Sequence, residues 1–390
     1  MSAKRLSKWV GLAAAASVLA IGSAASAESA QDFVTEAKVF YRVVACGDGE
    51  IPAGLDARAV ESHCQRQLKD VQRFRTRYVA KATPFFAKHR PQGLPDKVVY
   101  PFGGGDLASA LITYPDASEY TTISLEHAGD PRRLSQLNPA QLRQSLTRYR
   151  AAISGLMRNH DSASVKLKTL EKGPLPGQLS FFIQALVALD YELVSLRYFR
   201  IEPDGSLHYY SQAEIAAVES KRATRKATKW IDTDYSVAFS NSELRFRKRG
   251  AGAGAPVKVH RHIAANLSNE RFPDSALRKH LEAKGQVAAM TKAASYLLWS
   301  QYFSGIRDYL LNNMVFMFSD STGIPPRFAR KAGFAQKTFG RYTGAFLKAP
   351  AVHDKAFQAL WTAQPYRALS FRYGYWDPVK NRHLLITWRK

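Results

Sequence analysis

Between residues 98 and 126 the pattern of apolar and polar positions changes period twice. An apolar run, VVYPF, stops at Gly103, Gly104 and Gly105; residues 106–113 (DLASALIT) suit a short helix; residues 119–125 are rich in β-formers; and Glu126 closes the segment. This predicts strand, glycine turn, helix and second strand, the outline of a βαβ unit. Three glycines allow a sharp turn and a close approach of backbone to a ligand, and the first N–H groups of the helix that follows favour an anion or polar group. Glu126 stands 20 residues beyond Asp106, about where a dinucleotide-binding unit places the acid that accepts ribose hydroxyls. GGGD is not GxGxxG, so the segment is read first as a tight turn in an α/β core, with nucleotide binding as the alternative.

On either side the pattern continues to alternate. Residues 31–45 and 57–88 read as N-terminal helices, the second broken or kinked near Pro84. Asn138 and Pro139 open a helix to about residue 157, residues 173–176 (GPLP) interrupt the chain, and an apolar helix covers about 177–189. Residues 191–201 and 207–210 flank Pro203, Asp204 and Gly205 as a β-hairpin, and Ser211 with Glu214 makes a capping-box pattern. The helix so started is expected to run on into KRATRKATKW. Arg222, Arg225, Lys226 and Lys229 would then share one face, at i, i+3, i+4 and i+7. Residues 237–247 and 257–263 are expected strands joined by a glycine- and alanine-rich tip. Residues 293–312 read as a long apolar helix, 315–318 as a buried strand, 319–326 (SDSTGIPP) as a polar turn, and 366–375 and 383–388 as terminal strands. The expected fold is α/β: a mostly parallel central sheet flanked by helices, over residues 28–390 as one domain. A helical N-terminal region (28–95) and an added section of antiparallel β and basic helix (191–263) belong to it.

Composition adds location and charge. Lys4, Arg5 and Lys8 precede an apolar stretch over residues 9–21, and Ala25, Ser26 and Ala27 offer a cleavage site, so residues 1–27 are read as a secretory signal peptide and the protein as exported, periplasmic or extracellular. No later segment approaches about 20 uninterrupted apolar residues, so no transmembrane segment is expected in the mature chain. The formal charge is +24, of which +21 remains once the leader's three cations are removed. Such a charge points to an anionic partner, an envelope polymer or lipid surface, without sequence-specific nucleic-acid recognition. Cys46 and Cys64, the two cysteines, lie 18 positions apart in a chain bound for an oxidising compartment, and a disulfide is expected. Asp56 is placed as the N-cap of the helix that carries Cys64. A metal held by His63 with both cysteines lacks a fourth ligand nearby, and no metal or cofactor is expected.

For chemistry, Asp106, Glu126 and Asp320 are the acids placed at strand ends. Two carboxylates in one cleft can divide general-acid and general-base roles, as in glycoside hydrolysis. Each also has an ordinary role: a helix cap for Asp106, an ion pair to Arg132 or Arg133 for Glu126, and an Asx turn for Asp320. Ser319, Ser321 and Thr322 offer hydroxyls, but no GxSxG elbow presents a nucleophile. His260 and His262 project from one face of an expected strand, as a polar pair or a pair that helps bind an anion rather than a metal site.

Taken together, YPFGGGD, SLE, GDPR and DSTGIP make the chain resemble a family of uncharacterised exported bacterial proteins, over most of its mature length. The resemblance implies one folded unit and bacterial export, and brings no activity with it; export also argues against nicotinamide or methyl-donor cofactors. Two functions stay open. One is a hydrolase of an anionic cell-envelope polymer, with Asp106, Glu126 and Asp320 around Gly103, Gly104 and Gly105. The other is a non-catalytic binder or scaffold for an anionic envelope component, using Arg222, Arg225, Lys226 and Lys229.

Overall fold

The computed structural model describes residues 29–159, 175, 177–221, 224–225, 235–292, 294–320, 322–344, 351–373 and 382–390. The N-terminal region is helical: α1 (Val34–Val43), α2 (Ala57–Phe74), a π turn (Arg75–Val79) and α3 (Ala80–His89). Asp56 caps α2 by accepting from Ala59 N at 3.0 Å. Cys46, just beyond α1, is disulfide-bonded to Cys64 on α2. Pro84 sits inside α3 without breaking it. The irregularity falls earlier, at the π turn, where the Arg75 guanidinium reaches out to the carbonyls of Ala188 and Val187 at 2.8 and 3.0 Å.

Next come β1 (Lys97–Pro101), α4 (Leu107–Thr113) and β2 (Glu119–Ser124), and the two strands pair in parallel with Val98 opposite Tyr120. The chain then forms α5 (Pro139–Asn159), α6 (Leu179–Ala188), β3 (Tyr191–Ile201), β4 (Leu207–Tyr209) and α7 (Gln212–Ser220). The two-residue strands β5 (Thr224–Arg225) and β6 (Tyr235–Ser236) pair only with each other, and β7 (Asn241–Lys248) and β8 (Lys258–Ala264) follow. The last third holds α8 (Ala276–Glu282), β9 (Val287–Thr291), α9 (Ser304–Asn313), β10 (Met314–Ser319), α10 (Pro326–Lys331), β11 (Phe334–Gly340), α11 (Ala351–Thr362) and β12 (His383–Arg389).

Ten strands make one mixed sheet in the order β11-β12-β10-β9-β1-β2-β8-β7-β3-β4. The five central strands, β10 to β8, are parallel, and the flanking ones antiparallel. Counted in chain order, the parallel strands lie 3-2-1-4-5, the order of doubly wound nucleotide-binding sheets. β8, expected in the added antiparallel section, thus belongs to the parallel core beside β2.

Alternation along the strands divides the core between two faces. Val98, Tyr100, Ala288, Met290, Phe316 and Phe318 pack with α1 to α6. Val99, Val287, Ala289 and Met317 pack on the other side with α8 to α10. No helix among the described residues is long and apolar enough to cross a membrane.

Three expectations are corrected. Residues 293–312 are not one helix: 3-10 turns at Ser295–Trp299 and Gln301–Phe303 precede α9. Ser295 and Ser300 spend their hydroxyls on Asp320 and on Tyr302 N, contacts that compete with helical continuation. Residues 366–372 form no strand, and only Tyr373 bridges to Arg382. Instead this segment covers the outer edge of β11: Gln364 bonds Thr338 N and Gln336 O at 3.2 and 3.1 Å, and Arg367 O accepts from Gly340 N at 2.7 Å. Finally, α7 opens on the expected capping box but ends at Ser220, and Arg225 lies in β5.

Candidate functional site

In a doubly wound sheet, ligands bind beyond the carboxyl ends of the strands, where the strand order reverses. Here that point lies between β1 and β9. Beyond β1, Phe102 and Gly104 adopt positive φ, 58° and 50°, and turn the chain into α4. Asp106 caps that helix, one carboxylate oxygen accepting from Ser109 N at 3.2 Å and the other from the Tyr100 hydroxyl at 3.2 Å. Lys292, immediately after β9, places its Nζ 3.0 Å from the same Asp106 oxygen and 2.8 Å from Ser109 Oγ. The Tyr78 and Tyr373 rings stand 5.8 and 5.5 Å from that ammonium. The lysine and aspartate side chains are 1% and 3% exposed, so charge, hydroxyl and ring contacts replace water around them. Burial, then the Asp106 carboxylate, holds the Tyr100 phenol far above its ordinary range.

Asp320 follows β10 and accepts from the Ser295 hydroxyl, which also meets Thr322 Oγ1. Asp106 and Asp320 both act electrostatically on Tyr100 and Tyr373, so these two acids gather around one pair of tyrosines. Glu126 follows β2 and accepts from Gln178 Nε2 at 3.3 Å. The sheet thus brings all three predicted acids to the same strand-end edge, buried at 2%, 4% and 4% exposure.

The glycine turn serves packing. A Cβ on Gly103 would lie 2.8 Å from the Tyr100 ring, and one on Gly105 would lie 2.5 Å from Phe181 Cβ and 2.7 Å from Gln178 Oε1. Gln178 lies between Gly105 and Glu126, and its Nε2 bonds the carboxylate that a dinucleotide-binding unit would turn toward ribose hydroxyls. The Asp106 carboxylate likewise takes the helix start that a phosphate would use.

His260 and His262 do share a face. Both are fully buried against Phe182, at ring distances of 4.3 and 5.2 Å, and Thr122 Oγ1 bonds both, at 2.9 and 3.2 Å. His262 Nε2 also meets Glu126 O at 2.8 Å. Burial pushes the His262 imidazole down to about 4. These are neutral core histidines. Cys46, His63 and Cys64 also cluster, but the disulfide takes up both thiols and His63 Nε2 meets Val44 O at 2.8 Å. Arg222, Lys226, Lys229 and Ser321 lie outside the described residues.

Comparison with protein-family models, curated proteins and solved structures gives no match. The likeness carried by YPFGGGD and DSTGIP gains nothing further from these comparisons.

One feature of the surface escaped the sequence reading. The buried face of the α2–π–α3 rod is set by Val60, Cys64, Gln67, Val71, Phe74, Tyr78 and Ala82. Opposite them Arg66, Lys69, Arg73, Arg77 and Lys81 recur every three or four residues, with Lys88 two turns on. All are exposed except Arg73, which is half-buried and pairs with Asp70 at 2.6 Å. At 1.5 Å per residue the stripe is about 33 Å long. Its signal was present as a cationic 3.6-residue period, hidden by the expected break at Pro84.

Proposed function

We propose that this protein is an exported, non-catalytic binder of an anionic component of the cell envelope. The observation that carries this reading is the basic stripe on the α2–π–α3 rod. It sets six cations along one continuous helical face, a linear array suited to a linear polyanion or a charged surface. The formal charge supports it, +24 for the whole sequence and +21 without the leader's three cations. So does the state of the acids: Asp106, Glu126 and Asp320 are buried and bonded to the protein's own side chains, which leaves hydrolysis without an open carboxylate pair.

The test replaces Arg66, Lys69, Arg77, Lys81 and Lys88 with glutamine. Circular dichroism checks the fold, and binding is measured to polygalacturonate, anionic vesicles and duplex DNA at two salt concentrations. The expected result is salt-sensitive binding by the parent and a large loss in the variant, because each exposed contact is weak alone and several on one polymer add. Equal binding by both proteins to every probe would overturn the proposal.

A second reading, cofactor-dependent transfer chemistry at the switch point, is favoured by the 3-2-1-4-5 strand order alone, a fold-level analogy. Thermal shift with NAD and with S-adenosylmethionine tests it. No shift is expected while Gln178 and Phe181 crowd the glycine turn, and a clear shift with either would put this reading first.

A further inference from the structure

At the β11 edge of the sheet, between the end of that strand and the C-terminal half of α11, lies a groove of about 360 Å³. Three aromatic side chains line it, and hydrogen bonds hold two of them. The Trp361 indole N–H donates to Phe339 O at 3.2 Å. The Tyr342 ring stands 5.2 Å from Trp361, and its hydroxyl donates to Asp354 at 2.6 Å. Tyr366 is 64% exposed, unusual for so large a ring, and the Arg341 guanidinium sits 5.4 Å from its centroid. Around the rings are Gln358, Thr362 and Gln364, and among the described residues Arg341 is the one charged residue of the lining.

A pyranose ring matches this combination. Its C–H face packs on an aromatic ring, its hydroxyls pair with amide and hydroxyl groups, and a carboxylate substituent pairs with a guanidinium. The β11 strand stands between the groove and the end of α3, where the basic stripe finishes. His89, at the end of α3, lies against Phe339 with ring centroids 4.6 Å apart and planes tilted by 56°, and the Phe339 carbonyl receives the Trp361 N–H. Lys88, Lys337 and Arg367 all lie close enough to act on the His89 imidazole, which burial and these cations push down.

We infer that this groove is a saccharide subsite that grips an acid-bearing sugar unit of a polysaccharide, the rest of the chain lying along the stripe from Lys88 to Arg66. The subsite stands on the groove alone, and the course of the longer chain rests on the binder reading above.

Trigalacturonate, too short to span the stripe, probes the groove by tryptophan fluorescence and calorimetry, with maltotriose as its neutral counterpart and polygalacturonate as the long ligand. Three proteins are compared with the parent: Tyr366→Ala, Arg341→Gln and the glutamine stripe variant. Trigalacturonate is expected to bind the parent and the stripe variant alike, and to lose roughly tenfold in Tyr366→Ala, the worth of one stacking contact. Arg341→Gln is expected to abolish the preference for trigalacturonate over maltotriose. No binding of the trimer, or binding that both groove variants leave unchanged, overturns the subsite. Equal parental affinity for the two trimers overturns its acidic specificity. If polygalacturonate binding falls only in the stripe variant, the subsite fails and the binder reading survives; if it falls only in the groove variants, the reverse holds.

Discussion

The Lys292 side chain lies where water does not reach, with Asp106, Ser109 and two tyrosine rings around its Nζ. Removing one partner of such a buried pair leaves the other uncompensated, so Lys292→Met is expected to cost roughly 3–5 kcal/mol. The double change Asp106→Asn with Lys292→Met should restore most of that, as urea denaturation would show; two single losses that simply add would mean the pair is not coupled. The histidines make a second prediction at this scale. Burial holds His63, His262 and His280 down to about 4, against 6.5 for an ordinary imidazole. The unfolded chain therefore takes up protons first as pH falls. Their contribution is complete above about pH 6.5 and is lost toward about pH 4, at up to about 1.4 kcal/mol per pH unit for each group. Below that, Glu243, held to about 2 by its Tyr209 and arginine contacts against the opposing cost of burial, extends the loss further into acid. Urea midpoints across this range should fall steadily from neutral, and His262→Asn should flatten the upper part of the curve; a flat parental profile would contradict the assignment.

Elements with a local cause were legible in the chain. The glycine turn between β1 and α4, the Asp106 cap, the Ser211 and Glu214 capping box and the hairpin of β3 and β4 all depend on residues within a few positions of one another. The cysteine pair was legible for another reason, two thiols and one expected compartment, and it joins the end of α1 to α2. Reduction should cost about 3 kcal/mol, the loop entropy restored to the unfolded chain, and a melting temperature unmoved by reductant would show that the helices are held by packing alone. What escaped was non-local. β9 (VAAMT) is small and apolar because both its faces are covered, so it shows no alternation, and Lys292 was overlooked with it. Its partner Asp106 lies 186 positions earlier, a distance no spacing rule spans. β11 is hard to see in the sequence because Gln336, Lys337 and Thr338 interrupt its apolar run, while the aromatic-rich segment that covers its edge has the composition of a strand.

For the molecule as a whole, the predicted mostly parallel sheet is present, and it gathers the ends of five parallel strands along one edge. Whether that edge admits a ligand was not legible, because Gln178 and Phe181 reach it from a helix more than fifty residues beyond β2. The open sheet also has two outermost strands, of which β4 is only three residues long and β11 is seven. A long uncovered strand is a template for another chain, and here a single amide side chain, Gln364, takes up both Thr338 N and Gln336 O. Colloidal stability should accordingly depend on that residue more than its modest burial suggests. Gln364→Ala is expected to leave the circular dichroism unchanged while raising concentration-dependent light scattering; a variant as well dispersed as the parent would place the safeguard in charge repulsion instead. If Gln364 is the safeguard, a protein carrying +24 would still need one amide to keep its copies from knitting together edge to edge, since the salt of its surroundings screens charge but leaves an open row of backbone donors and acceptors untouched.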